Sequence, residues 1–82
     1  MEISRFETPV TVSSGTAPDG TAVSSAREAM DYLLNSWRGK RGPKHREALQ
    51  ACHDAVSGEK SATTARRSFV AAAREAGVLM SR

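Results

Sequence analysis

Two hydrophobic periods follow one another along this chain. Between Phe6 and Ser13, apolar Phe6, Val10 and Val12 alternate with polar Glu7, Thr11 and Ser13, the period-two pattern of a half-buried strand. Pro9 interrupts the pattern and has no N–H to donate, which predicts an edge strand or a bulge at that point. Ser14-Gly15-Thr16-Ala17-Pro18-Asp19-Gly20 is turn chemistry, and Thr21-Ala22-Val23 reads as a short return strand. The expectation is a β-hairpin over residues 4–24. Two strands alone are marginal in water, so the hairpin must lie on helices.

From Ser25 onward the period becomes that of a helix. Ser25 and Glu28 have the spacing of a capping box. Ala26, Ala29, Met30, Leu33, Leu34 and Trp37 then fall on one predicted helical face. Gly39 stands where a left-handed residue commonly ends a helix. Pro43 suits the first turn of a second helix, since its missing N–H would be unpaired there anyway. Along it His45, Ala48, Leu49, Cys52, Ala55 and Val56 share a face, opposite Arg46, Gln50, His53 and Ser57, and Gly58 ends the run. Ser61 caps a third helix whose stripe is Ala62, Ala65, Phe69, Ala72, Ala73 and Ala76, with Gly77 as its stop and Val78 folding back on Ala73. Leu79 and Met80 extend this apolar tail toward the core. The helices are predicted over residues 25–37, 43–57 and 61–76. The order β-β-α-α-α makes one α+β domain of residues 1–82, a hairpin on a three-helix cluster.

Composition narrows the picture. Eighty-two residues with four aromatics and thirteen alanines can bury only a modest core, near the lower size limit for independent folding. A homodimer is an easy way to widen that margin. The single cysteine, Cys52, cannot form an internal disulfide, and no apolar run approaches a membrane span. The beginning of the chain, with Glu2 and Glu7 around Arg5, does not resemble an export signal. A cytoplasmic protein is expected. The net charge of +3 permits an acidic partner without demanding one.

The charge is unevenly placed. Trp37-Arg38-Gly39-Lys40-Arg41-Gly42-Pro43-Lys44-His45-Arg46 holds five of the twelve Lys and Arg residues, at the junction of the first two helices. Helix N-termini favour acids, so Lys44 and Arg46 run against the local rule. Free N–H groups beside guanidinium groups make an anion receptor. Arg38, Lys40, Arg41, Lys44, His45 and Arg46 are therefore the candidate site, with an acidic protein as the expected partner. A nucleic acid held by the same junction together with Arg66, Arg67 and Arg74 is the alternative. A helix-turn-helix reading of the last two helices fits less well, because a helix of about four turns before a short connection suits an antiparallel hairpin.

Chemistry of other kinds finds no support in the pattern. Cys52, His53 and Asp54 are consecutive on a helix and diverge by roughly 100° each, and His45 lies about 10 Å from Cys52 along the axis. No converging zinc set results, and His45 cannot serve Cys52 as a base. Phosphate loops, dinucleotide fingerprints and nucleophile elbows are lacking. Neither cofactor nor metal is expected, and the chain does not read as an enzyme.

Several short stretches together resemble a known family. They are Phe6-Glu7-Thr8-Pro9-Val10, Ala26-Arg27-Glu28-Ala29 leading to Trp37, Gly42-Pro43-Lys44-His45, Ala48 with Cys52 and Ala55, Gly58, Arg66 with Phe69, and Ala72, Ala73 and Ala76-Gly77-Val78. The chain is similar, over nearly its whole length, to the small proteins of soil alphaproteobacteria grouped as domain of unknown function 982. The resemblance implies a small intracellular bacterial domain and carries over no catalytic or binding residue.

Overall fold

The computed structural model of the protein describes residues 5–13, 20–37 and 41–80. Strand β1 (Arg5–Val12) pairs antiparallel with β2 (Thr21–Ser25). Val10, Thr11 and Val12 stand opposite Val23, Ala22 and Thr21, and the pairing then jumps to Arg5 opposite Ser25. The surplus residues on β1 form a bulge around Pro9, where the missing donor breaks the ladder. At the other end β1 is not an edge. Val12 also bridges Leu79, with the Ser13 N–H donating to the Val78 carbonyl (2.7 Å) and the Met80 N–H to the Thr11 carbonyl (2.9 Å). The apolar tail thus clasps the hairpin through an isolated antiparallel bridge. The predicted turn over residues 14–19 lies outside the described residues, as does Gly39.

Helix α1 (Ala26–Asp31) begins at Ser25, whose hydroxyl accepts from the Glu28 N–H at 3.2 Å. Glu28 reaches back to the Ser24 N–H at 2.8 Å, one residue further than the simple capping box places it. The helix then widens into a π-helical turn, Tyr32–Ser36, before Trp37 leaves in an extended conformation. Here the structure corrects the predicted face. Leu34 is 49% exposed and Met30 half-buried, whereas Tyr32 is buried. The reason is a partner for the phenol: the Tyr32 hydroxyl donates to the Ser13 carbonyl at 2.7 Å, so the ring can enter the core with its polar end satisfied. It packs edge-on against Phe69 and Trp37, with ring centres 5.9 Å and 5.8 Å away.

Helices α2 (Pro43–Val56) and α3 (Ala62–Ala76) form the antiparallel pair that the short connection predicts. Their meeting faces are rich in alanine: Ala48, Ala51, Cys52 and Ala55 from α2, and Ala65, Phe69, Ala72 and Ala73 from α3. Small side chains let the axes approach, while Phe69 fills the centre; burying such a side chain contributes about 1.5–3 kcal/mol. Leu49 and Val56, assigned to the buried face by period alone, are half-buried at its margin, as are Ala62 and Ala76 at the ends of α3. Ser61 caps α3 through the Thr64 N–H at 3.2 Å. Val12, Leu33 and Phe69 join the strands, the first helix and the helical pair in one core.

Candidate functional site

The junction between α1 and α2 is built to close a helix end. The last carbonyls of any helix lack partners within it. In this chain the π turn presents two of them to the next segment. His45 Nε2 lies 2.9 Å from the Leu33 carbonyl, and Arg41 Nη2 donates to the Leu34 carbonyl at 3.1 Å. A carbonyl only accepts, so the His45 proton must sit on Nε2. His45 is 7% exposed, and its ring lies edge-on to the half-buried Trp37, with centres 5.1 Å apart. Two of the six junction residues expected to meet an anion are therefore engaged in capping, His45 wholly and Arg41 by one of its five N–H groups. Trp37, predicted on the apolar face of the first helix, is half-buried, and its ring links Tyr32 to His45 at the start of α2.

The other junction cations are disposed differently. Lys44 and Arg46 are exposed on the first turn of α2, which contains no acidic residue. Arg38 and Lys40 lie outside the described residues. Asp54 gathers Gln50 at 3.0 Å and His53 and Lys60 at 3.9 Å. Among the described residues no carboxylate pairs with Arg41, Lys44 or Arg46.

Arg46 also borders a groove of about 440 Å³ between α1 and α2. Met30, Leu34 and Leu49 form its apolar lining, with Gln50 and His53 on the rim. Sequence reasoning placed Met30, Leu34 and Leu49 in the core and so missed this surface. A signal was present: the six apolar positions from Ala26 to Trp37 make a broader stripe than one neighbouring helix can cover, and Met30 and Leu34 form its i, i+4 margin.

The alternative set divides as well. Arg66 is half-buried, and its Nε donates to the Thr8 carbonyl at 2.8 Å, filling the acceptor that the Pro9 bulge leaves open. Arg67 and Arg74 are exposed on α3. These three lie on α3 and against β1 rather than at the junction, and no residue lining their surface lines the α1–α2 groove.

Cys52 is fully buried mid-helix, and burial pushes its thiol up to about 12. Such a thiol stays protonated and inert at neutral pH. Among the described residues no group of three or more His, Cys, Asp or Glu side chains could hold a metal ion, and no helix is long and apolar enough to cross a membrane.

Comparison with known proteins agrees with this architecture. Curated proteins give no match. A solved structure does: the NMR structure of the Agrobacterium tumefaciens protein Atu1219 superposes with a TM-score of 0.81 at 31% identity, covering 99% of this chain and 80% of that one. Residues 8–80 match the family described as "Protein of unknown function (DUF982)", and neither likeness indicates a catalytic family. The chain belongs to the DUF982 family.

Proposed function

We propose that the protein is a non-catalytic, cytoplasmic interaction module that receives an acidic, amphipathic helix of a protein partner in the α1–α2 groove. One observation carries this reading: Leu34, a large apolar side chain 49% exposed, stands beside cations that have no carboxylate partner among the described residues. An amphipathic helix docks by laying apolar anchors into such a groove, and Met30, Leu34 and Leu49 offer an adaptable floor. Carboxylates on the same helix would meet Arg46, the outward N–H groups of Arg41 and, nearby, Lys44. These exposed charges steer association and set its direction more than they add affinity.

The test compares wild type with Leu34→Glu and with Arg41→Ala/Arg46→Ala. Protein co-purifying from the native host is identified and its binding isotherm measured against all three. Leu34→Glu should abolish binding, and the double substitution should slow association. A partner that binds all three equally would refute the reading. If light scattering finds a dimer that Leu34→Glu dissolves, the groove serves self-association instead. If random duplex DNA binds tightly and its log–log salt slope flattens by about two units in the double variant, the junction tracks phosphates.

A further inference from the structure

We infer that a second, separate surface, the trench between α3, the β1 bulge and the tail, binds an acidic peptide segment bearing apolar side chains. Arg66 and Arg74 line it, Arg67 stands beside them on the outer face of α3, and no acidic side chain lines either part among the described residues. Val70, Pro9 and Leu79 supply apolar patches beside these cations. The trench measures about 390 Å³ where α3 meets β1 and continues over the outer face of α3 through Arg66, Val70 and Arg74.

Arg66 is the organising residue. Its Nε–H is fixed on the Thr8 carbonyl at 2.8 Å, so the guanidinium is held in place while its terminal N–H groups remain for a ligand. A guanidinium held this way suits the planar, two-pronged acceptor of a carboxylate. Arg67 and Arg74 have no ion-pair partner among the described residues. Seven residues apart on one helix, they stand about 10 Å from one another along its axis. A ligand that meets all three must carry several negative charges. The apolar patches beside the cations distinguish a peptide from a phosphodiester backbone, and among the described residues no aromatic side chain lines the trench to stack a base.

The experiment is an NMR titration of the whole protein with a capped peptide of Glu-Glu-Leu repeats, beside the same peptide with Gln for Glu. Amide shifts should centre on Thr8, Val70, Arg74 and Leu79. Arg67→Ala/Arg74→Ala, whose unliganded spectrum checks its fold, should weaken binding at least tenfold, and the Gln peptide should not bind. Absence of shifts, equal binding of the Gln peptide, or an unchanged affinity of the double variant would each overturn the inference. Shifts confined to Met30, Leu34 and Leu49 would overturn it while leaving the α1–α2 groove reading intact. Random duplex DNA that displaces the peptide and binds more tightly would assign the trench to nucleic acid instead.

Discussion

The chain ends its helices in two different ways. Helices α2 and α3 close on themselves. Gly58 (φ 85°) and Gly77 (φ 75°) turn left-handed, which brings the Glu59 N–H to the Asp54 carbonyl at 2.8 Å and the Val78 N–H to the Ala73 carbonyl at 3.0 Å. Every atom of such a stop lies within a few residues of the helix it ends. The first helix instead widens into a π turn and has two of its carbonyls met by Arg41 in the junction and His45 on α2. The glycine stops are local and self-sufficient. The first helix depends on the docking of α2, so damage at the junction should spread to both.

The largest test of this contrast is His45→Ala. It removes a buried donor, leaves the Leu33 carbonyl without it and strips a ring from Trp37, so a loss of about 2–3 kcal/mol is expected. Arg41→Ala, at an exposed position, should cost no more than about 0.5 kcal/mol. Urea titration measures both, and equal losses would mean that burial does not separate the two caps. Next in size is Gly77→Ala. A Cβ there meets open space, so the cost is purely the left-handed backbone, about 1–2 kcal/mol. A smaller loss would show that the α3 end can relax into another conformation.

The effect that vanishes at neutral pH concerns Cys52, in the packed side of the molecule. Its thiol is raised by burial from 9.0 to about 12 in the folded protein. Folding therefore favours the protonated form: the contribution is complete below about pH 9 and is lost as pH rises toward 12. A decline of up to about 1.4 kcal/mol per pH unit should begin near pH 9 and be absent in Cys52→Ala. A thiol reagent that labels native protein at neutral pH as fast as unfolded protein would contradict the burial.

These contrasts explain what the sequence disclosed. Ser25, Ser61, Gly58, Gly77 and Pro9 act on their own neighbours, so the caps, the stops and the bulge were legible without any tertiary information. Tyr32 entered the core ahead of Leu34 because Ser13 offered a distant acceptor, which no helical period records. The same holds for His45: the helical period put it on the buried face of α2, but nothing local showed that its ring would cap Leu33 rather than meet an anion. Arg66 and Thr8 are 58 residues apart, so the fixed arginine of the trench left no local trace. The positions of the exposed cations followed directly from the sequence, whereas which of them were committed to structure did not.

The bridge between Val12 and Leu79 has a kinetic consequence. It closes a loop through nearly the whole chain, the slowest kind of contact to form, whereas the hairpin and the helical pair are short-range. Such a contact is expected after the rate-limiting step of folding, where it slows opening without hastening closure. Stopped-flow measurements on a chain lacking residues 78–82 should then show faster unfolding on a nearly unchanged refolding limb. A slowed refolding limb would place the clasp in the folding nucleus. On that expectation Val78, Leu79 and Met80 act as a latch on the lifetime of the native state.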